Sequence, residues 1–538
     1  MSAKGGLRQG MDRLVVSGRR VFGWGWAAHP EHAVKSVHLR VAGEAWERRL
    51  AGGGGLSRHD VEEANPELVN AGSSGFVVTG FVPGVPAKVW LELELDDGTR
   101  TEVDVTQVAE NRHERHSKLR LLSWVSQAVW RRLKRGDIAG IVRRAKAQHY
   151  AAPSLDDMNT LGELLAVLGQ CGDVCLMFDH NMGGGSNQYR RNMIADRLAQ
   201  GEAVLLCTYN LPLLEYRLHL FRTGGAEQVF RISSFLFLER ILEQVPVVEL
   251  FVNSTVSFDE PLVFAEWVAR MRAEHPAARL TVTAHDFFAV CPSFVLLNAD
   301  GRYCGIPELS ECAACLKRHE ASYVALSPQT EIGPWRALWG RCLEAADEIR
   351  CFSDSTRQLL ARAYPALPAA RFTVIPHKLD FHPVRVPKLE HAAPLVIGIV
   401  GEITVQKGAL VVRDIVERVE RDHPGVRVVV LGTLEVPLRS ERLKVTGTYR
   451  RQDLVRLIEA HGINMFLFPS IWPETFSYVV AELILLGVPV VAFDLGAPAE
   501  RLRGYANGRL CKTIDAATAL ETLVGFHRSL AGEEASAA

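Results

Sequence analysis

The stretch FPSIWPETFSYVVAELILLGVPVVAFDLGAPAERL, residues 468–502, places two carboxylates, Glu474 and Glu482, in a part that is otherwise free of charge as far as residue 493. A proline-rich turn precedes Glu474, and Glu482 follows eight positions later. If residues 474–487 form a helix, the two acids lie roughly 12 Å apart along its axis. A carboxylate in an apolar helix is costly unless it has a partner or a task. The segment therefore predicts the start of a helix that faces a ligand.

Each acid also has a purely structural interpretation. Glu474 could complement the dipole of the helix, and Glu482 could pair with a basic group elsewhere in the fold. On the functional interpretation, the backbone N–H groups around Thr475–Ser477 stay free for a phosphate, because the first N–H groups of a helix lack intrahelical partners.

Composition restricts the class of protein. The chain has 538 residues, which predicts several domains, and its net charge of −1 excludes a globally basic nucleic-acid binder. The N-terminal sequence shows no apolar signal-peptide region, and we find no uncharged apolar run of about 18 residues that would span a bilayer. Ten cysteines without a secretory signal favour reduced thiols. We expect a cytoplasmic protein.

The first 110 residues predict an all-β sandwich domain. Short alternating runs such as VKSVHLRVAG (34–43) and KVWLELELDDGTRTEVDV (88–105) are separated by Gly, Pro or Asp-Gly. This pattern is typical of antiparallel strands joined by tight turns.

Residues 111–150 predict a basic amphipathic helical linker. They contain eleven Lys and Arg against two acids, with apolar residues at near-helical spacing. The linker could lie on an anionic membrane surface with Trp124 and Trp130 at the headgroup level. We favour the alternative, in which its apolar stripe packs on neighbouring domains.

From residue 151 the chain alternates apolar β-rich runs with helical patterns, which indicates βαβ units and parallel sheets. A second series begins near residue 394, after a proline-containing linker. The predicted fold class is α/β, with two Rossmann-like domains at 151–385 and 390–515 and a C-terminal helix and tail at 516–538. Their ligand is expected in the cleft between them, at the carboxyl ends of the strands.

A strand, a loop and a helix are predicted over VIGIVGEITVQKGALVVRDIV, residues 396–416. Gly401 and Gly408 allow tight backbone turns, and Lys407 stands just before the helix. Such a loop presents backbone N–H groups, a positive helix end and a point charge to an anion. It is not a P-loop, because the GxxxxGK[ST] spacing is missing.

The segment PSIWPETFSYVVAE, with its E-x7-E spacing, and the upstream GEITVQKG together resemble the retaining glycosyltransferases of family 4, which have the GT-B fold. The resemblance covers about residues 170–510. It also includes the glycine-rich loop in FDHNMGGGSNQY (178–189) and the histidine of TAHDFF.

The resemblance implies roles for individual residues. Glu474 would contact the donor sugar, Glu482 the nucleotide ribose and Lys407 the donor diphosphate. The implied catalytic residues are Glu474 and His285; the implied donor-binding residues are Gly401, Lys407, Gly432, Thr475, Phe476, Ser477 and Glu482; the implied acceptor or phosphate loop contains Gly183, Gly184, Gly185 and Asn187. On residue chemistry alone, His285 would be a core histidine at a strand end. No metal is required for catalysis in this family, because basic residues and helix ends neutralise the leaving group.

One residue departs from the family pattern. Glu402 occupies the position, five before Lys407, where an arginine is usual. A carboxylate repels a diphosphate, so either Glu402 turns away or another basic residue substitutes.

Four cysteines, Cys291, Cys304, Cys312 and Cys315, fall within 25 residues. Four thiolates could bind a structural Zn²⁺. Their spacing contains a single C-x2-C, whereas a strong zinc signature has two. Free or paired thiols are the alternative.

The sequence thus predicts a retaining glycosyltransferase that uses a nucleotide-diphosphate sugar and acts on a glycan or lipid-linked acceptor in surface polysaccharide assembly. It is expected at the inner face of the cytoplasmic membrane, with no nucleic-acid partner. The N-terminal domain would be an accessory module that binds glycan or protein. The alternatives are an inactive scaffold or glycan-binding protein of the same fold, which Glu402 favours, and another nucleotide-sugar activity such as epimerisation.

Overall fold

The structure, a computed structural model, describes residues 6–56, 58–111, 155–319, 331–383, 385–436 and 438–537. The predicted basic linker, residues 111–150, lies outside these ranges except at its first residue, so both interpretations of it stay predictions. No helix in the described ranges is long and apolar enough to cross a membrane.

The N-terminal region is all-β, as predicted, but its strands lie in one curled sheet, so the predicted sandwich is not confirmed. Its strands are β1 (Arg8–Ser17), β2 (Arg20–Ala28), β3 (Val34–Ala42), β4 (Glu47–Leu56), β5 (Gly75–Phe81), β6 (Lys88–Leu95), β7 (Arg100–Asp104) and β8 (Ala109–Asn111). They form one sheet in the order β7-β6-β3-β4-β5-β2-β1-β8. The first half of β4 pairs with β3 and its second half pairs with β5. The sheet therefore curls over a single core that both halves share; we call this region the N-terminal module.

The second sheet is mostly parallel. Its strands are β9 (Val174–His180), β10 (Ala203–Asn210), β11 (Glu215–Phe221), β12 (Gln228–Ile232), β13 (Val247–Val252), β14 (Arg279–Thr283), β15 (Glu348–Cys351) and β16 (Phe372–Val374), in the order β12-β11-β10-β9-β13-β14-β15-β16. Only β11 and β12 run antiparallel to their neighbours, as an edge extension. β9 is buried throughout, as expected for a central strand covered on both faces. We call this sheet with its helices the first unit.

The third sheet is entirely parallel. Its strands are β17 (Val396–Ile403), β18 (Arg427–Leu434), β19 (Leu443–Val445), β20 (Met465–Phe468), β21 (Val490–Phe493) and β22 (Gly508–Cys511). The order β19-β18-β17-β20-β21-β22 reverses direction beside β17, which makes a topological switch point at its carboxyl end. Separate hydrophobic clusters cover its two faces. We call this sheet with its helices the second unit.

The helices pack against these sheets. They are α1 (His59–Ala64), α2 (Leu155–Leu168), α3 (Gly184–Ala199), α4 (Glu239–Leu242), α5 (Pro261–Glu274), α6 (Leu309–Arg318), α7 (Ile332–Ala345), α8 (Asp354–Ala363), α9 (Ala409–Asp422), α10 (Leu454–Ala460), α11 (Tyr478–Leu485), α12 (Gly496–Leu502) and α13 (Ala516–Ala537). Two Rossmann-like units that follow one all-β region give the predicted α/β fold class, the GT-B arrangement.

The N-terminal module contacts both units. Arg20 is 4% exposed, lies over the rings of Phe81 in the module and Tyr209 in the first unit, and donates to Ser257 O at 3.3 Å. On the other side, Arg439 of the second unit donates to the backbone oxygen of Glu31 at 3.2 Å. The three parts of the chain therefore meet at a common junction.

Candidate active site

An aromatic cluster joins the two Rossmann-like units. His377, which follows β16, stacks on Phe476 of the second unit at 4.4 Å between ring centroids and on Tyr189 of the first unit at 4.9 Å. Its Nδ1 is 3.0 Å from the hydroxyl of Tyr478. Burial, with a smaller effect of Arg501, lowers the pKa of His377 to about 3, so the ring is neutral at neutral pH. The sequence analysis did not identify this histidine.

The glycine-rich loop of the first unit leads from β9 into helix α3. Gly183 and Gly184 have φ angles of +82° and +81°, a conformation that favours glycine, and Gly183–Gly185 are all exposed. Gly185 approaches Tyr478, whose ring carbons would lie 3.2 Å from an added Cβ. The loop and the positive end of α3 therefore border the second unit.

Asn187 holds this loop in shape. Its Oδ1 accepts from the Gly183 N–H at 2.7 Å, and its Nδ2 donates to Asp179 and to the backbone oxygen of His180, both at 3.0 Å. These contacts use its side chain within the loop, so the structure places Asn187 as a positioning residue and not as a group directed at a ligand. Asp179 is fully buried beside Arg190, and burial raises its pKa to about 7.

His285 follows β14 and faces Asn253. Its Nε2 is 2.8 Å from Asn253 Oδ1, and the amide Nδ2 of Asn253 donates to Ser186 O at 3.3 Å. That orientation of the amide makes His285 Nε2 the donor and leaves Nδ1 as an acceptor. Burial lowers the pKa of His285 well below its usual value, helped by His377 and His180. The backbone oxygen of His285 accepts from Thr475 Oγ1 at 2.9 Å, which ties this strand end to the second unit.

Glu474 lies in the loop after β20 and is 7% exposed. Burial raises the pKa of its carboxyl, while Lys407 and the hydroxyl of Ser470 lower it. Its Oε1 is buried and has no hydrogen-bond partner within the described part of the chain. A buried carboxylate oxygen without a partner is costly, so it points to a ligand group that the protein alone does not supply.

The helix after Glu474 begins later than predicted. It starts at Tyr478, with Ser477 as its N-cap accepting from the Val480 N–H at 3.3 Å. Glu474, Thr475 and Phe476 therefore belong to a loop, which Pro473 and the Thr475 contact with His285 hold outside the helix. Among the described residues, the backbone N–H groups of Thr475 and Phe476 have no protein acceptor. They could bond to an anion, although they belong to the loop and not to the first turn of the helix, and their predicted contact with a phosphate stays a prediction.

Glu482 pairs with a basic residue that could not be named from the sequence. It is 6% exposed inside helix α11, and its carboxylate lies 2.5 Å from Arg451 Nη2. Arg451 also lies over the Phe381 ring at 5.0 Å. Burial raises the pKa of Glu482, and Arg451 opposes that shift. The structural interpretation of Glu482 is therefore realised, and its predicted contact with a ribose stays a prediction.

Three glycines shape the second unit's side of the site. Gly401 and Gly432 pair across β17 and β18 with φ angles of +115° and +140°, and a Cβ on Gly432 would collide with the backbone oxygen of Gly401. Gly408 has a φ of +91°, and a Cβ there would collide with the backbone of Pro469. Only glycine therefore lets the loop carrying Lys407 lie against the loop carrying Glu474.

Arg501 adds a basic group that the sequence analysis missed. Its guanidinium lies 4.6 Å from the centroid of the Phe476 ring, and burial lowers its pKa. It influences His377 electrostatically, so it lies near the aromatic cluster. Glu402 is exposed. Burial raises the pKa of Glu435, the backbone N–H of Val405 opposes that shift, and the charge of Glu402 adds to it.

The possible zinc site at Cys291, Cys304, Cys312 and Cys315 stays a prediction, as does the alternative of free or paired thiols. Within the described residues, only His32, Asp96 and Asp97 gather three candidate metal ligands with donor atoms within 4.8 Å of one another. Cys312 Sγ donates to the Pro307 oxygen at 3.7 Å, and Cys315 Sγ accepts from the Ala299 N–H at 3.3 Å. Burial raises the pKa values of the Cys291, Cys304 and Cys312 thiols.

Residues 394–526 match the family model described as "Glycosyl transferases group 1". The match spans the whole third sheet and the first half of helix α13. The second unit, which carries Lys407, Glu474 and Glu482, is therefore the part of the chain that resembles group 1 glycosyltransferases.

Solved structures show more distant similarity. HepE (Alr3699) from Anabaena, in complex with UDP and glucose, is 15% identical over 65% of this chain and 88% of its own, with a TM-score of 0.41. Sucrose-phosphate synthase (tll1590) from Thermosynechococcus elongatus is 15% identical over 67% of this chain and 92% of its own, with a TM-score of 0.43. The lipopolysaccharide outer core galactosyltransferase WaaB is 13% identical over 67% and 91%, with a TM-score of 0.42. Among curated proteins, none matches the chain.

Proposed function

We propose that the protein is a retaining glycosyltransferase of family 4. It transfers a sugar from a nucleotide diphosphate to a hydroxyl of a glycan or lipid-linked acceptor, in the assembly of O-antigen, capsule or exopolysaccharide at the inner face of the cytoplasmic membrane. The observation that carries the proposal is Glu474, whose carboxylate oxygen is buried without a partner beside Lys407 in the part of the chain that resembles group 1 glycosyltransferases.

The negatively charged group of the site and its positively charged and N–H groups have different roles in the proposed reaction. As the sugar leaves its diphosphate, positive charge develops at the anomeric carbon, and a fixed carboxylate such as Glu474 stabilises it. The leaving diphosphate is held by Lys407, by the free N–H groups of Thr475 and Phe476 and by the N-terminal end of a helix. The fold already orients these groups, so no solvent reorganisation is needed as charge develops in the transition state.

Neutral His285 suits a contact with the sugar. Its Nε2–H is used by Asn253, so Nδ1 is left to accept a hydrogen bond from a sugar hydroxyl. In this mechanism the departing phosphate oxygen takes the acceptor proton on the same face of the sugar, which keeps the anomeric configuration. The site therefore needs no separate protein base.

Substituting Glu474 tests the assignment. Glu474→Gln keeps the size of the side chain and removes its charge, so we expect kcat for transfer to fall by about 10²-fold or more. Glu417→Gln, on the exposed face of helix α9, is the matched control. The melting temperature of both variants should stay close to that of the wild type. Full activity of Glu474→Gln would refute the site, and an inverted product configuration by NMR would refute retention.

An inactive scaffold is the second candidate, because Glu402, near the end of strand β17, occupies the position five before Lys407 where an arginine is usual. Thermal-shift measurements with nucleoside diphosphates and their sugars separate the two. A ligand held by the folded cleft raises the melting temperature according to its affinity. A stabilising nucleotide sugar that is also consumed supports the enzyme; saccharide binding without nucleotide binding or turnover supports the scaffold.

A further inference from the structure

A pocket of about 470 Å³ lies where the N-terminal module and both Rossmann-like units meet. The module contributes Gly53–Leu56 of strand β4, and the first unit contributes the ends of β9 and β10, including Met182 and Asn210. The second unit contributes Glu402 and neighbouring residues of the loop after β17. The volume falls within the range of about 300–1,000 Å³ typical of ligand sites.

Two walls of this pocket continue directly into the candidate active site. Met182 immediately precedes the glycine-rich loop at Gly183, and Gln406 immediately precedes Lys407. The backbone oxygen of Gln406 also accepts from the Ile471 N–H at 3.2 Å, which links the wall to the loop that carries Glu474. A molecule in this pocket therefore lies beside the groups proposed to hold the donor.

The lining has the chemistry of a site for an uncharged saccharide. Its described residues include two carboxylates, Glu402 and Glu435, and no lysine or arginine. The buried hydroxyl of Thr404 has no partner in the described part of the chain, so it can bond to a ligand. Sugar hydroxyls donate to carboxylates, whereas a phosphate or carboxylate on the ligand would be repelled. Met182, which is 45% exposed, offers apolar surface to the C–H face of a sugar ring.

The glycines of β4 explain how the module reaches this place. Gly55 has a φ of +74°, and a Cβ there would collide with the backbone of Glu435 in the second unit. The backbone N–H of Gly54 bonds to the Glu435 carboxylate. A Cβ on Gly54 itself would meet no atom within 4 Å. The strand can thus lie against the second unit while its bare backbone leaves the pocket open.

We propose that this pocket binds the acceptor as an uncharged saccharide, and that strand β4 of the N-terminal module forms one of its walls. This inference rests on the proposed glycosyl transfer for its reaction. It gives the module a direct part in choosing the acceptor, beyond the accessory binding role expected from the sequence.

The first test fills the pocket from the module side. Gly54→Leu adds a side chain where there is open space, and Val85→Trp adds bulk at an exposed position of the same module that does not line the pocket. Saturation-transfer NMR with methyl glycosides of glucose, galactose and mannose should show binding to the wild type and to Val85→Trp. Binding to Gly54→Leu should be at least tenfold weaker, at an unchanged melting temperature. Equal binding to both variants, or no saccharide binding to the wild type, would overturn the inference.

The second test changes charge without changing shape. The wild type should prefer methyl glucoside to glucuronate and glucose 6-phosphate by at least tenfold. Glu402→Gln, at an exposed side chain, should reduce that preference several-fold. An unaltered preference, or a wild type that favours the acidic sugars, would contradict the proposed role of the carboxylates.

Turnover distinguishes the two proposals. If no nucleotide sugar is consumed but the binding results hold, the glycosyltransferase proposal fails and the pocket stands as a saccharide site. If the donor is hydrolysed and transferred yet the acceptor KM is the same for Gly54→Leu and Val85→Trp, the pocket inference fails and the enzyme proposal stands.

Discussion

At the scale of single residues, buried neutral histidines distinguish the cleft. His377 and His180 are each 7% exposed. His180 accepts from the Met182 N–H at 3.1 Å through Nδ1, which leaves Nε2–H to donate to Ser186 Oγ at 2.6 Å. Burial lowers the pKa of His180 to about 4, as it lowers that of His377 to about 3. Protonation of either ring near pH 6 is unfavourable, because burial destabilises the charged form.

We therefore expect the stability of the protein to fall as the pH is lowered from about 7 towards 4. In that window the unfolded chain binds protons on these histidines, with a usual pKa of about 6.5, and the folded chain does not. Each such group contributes up to about 1.4 kcal/mol per pH unit. His377→Phe removes one group and should flatten the dependence of unfolding free energy on pH.

Denaturant titrations at several pH values measure this effect. His382→Phe is the matched control, because the His382 side chain is 88% exposed only five residues away. A His377→Phe variant with the same pH slope as the wild type would show that His377 titrates normally in the folded protein.

At the scale of elements, one helix end is completed across the two Rossmann-like units. Helix α8 begins at Asp354, and its N-cap Ser353 accepts from the Thr356 N–H at 3.2 Å. The Asp354 and Ser355 N–H groups donate to the carboxylate of Glu500 in helix α12, at 3.2 and 2.9 Å. A negative group at a helix start also complements the helix dipole. The contact therefore fixes α8 of the first unit to α12 of the second.

Glu500→Ala should loosen this contact. Removing a capping acceptor costs about 1 kcal/mol, so the amides of residues 354–356 should exchange their hydrogens roughly fivefold faster. Hydrogen exchange followed by mass spectrometry measures the change. The exposed Glu417→Ala variant should leave exchange at these amides unaltered; equal protection in both variants would mean that water replaces Glu500 without cost.

The sequence predicted regular elements better than their ends. β10, with the sequence AVLLCTYN, is one of the apolar β-rich runs from which parallel strands were predicted after residue 151, because a buried parallel strand is a continuous apolar run. Helix α11 was predicted to include Glu474, although Ser477 is a preferred N-cap residue and could have marked the true start. Strand β4 was not predicted, because the run AGGGG has a single methyl side chain and therefore shows no alternating pattern. Its position depends on contact with Glu435, which lies far away in sequence.

At the scale of the whole molecule, the N-terminal module is anchored through a buried arginine. Arg20 lies between Phe81 and Tyr209, and the neighbouring Tyr216 hydroxyl bonds to Asp259. The sequence around Arg20 predicted an all-β domain and gave no sign that Arg20 contacts the first unit. Similarly, Arg451 and His377 were not associated with the site, because spacing along the chain does not reveal partners brought together by tertiary packing.

Arg20→Met should separate the unfolding of the module from that of the first unit. The variant keeps apolar volume but leaves the Ser257 oxygen and the aromatic faces without their buried cation, at a cost of about 1–3 kcal/mol. Differential scanning calorimetry should then show an earlier additional transition. Arg19→Met is the matched control, because exposed Arg19 contacts Val82 O inside the module. Identical calorimetric profiles for the two variants would refute the anchoring role of Arg20.

The glycine-rich strand β4 affects how mutations can alter the pocket. The pocket beside it takes its walls from residues near 54, 182, 210, 402 and 435, which belong to the N-terminal module and to both Rossmann-like units. A substitution in one wall alters the space available to the others, so the effects of mutations should combine non-additively. A change of acceptor preference would then require coordinated substitutions in several walls. Exchanging the module alone between related proteins would disrupt the close contact between strand β4 and Glu435.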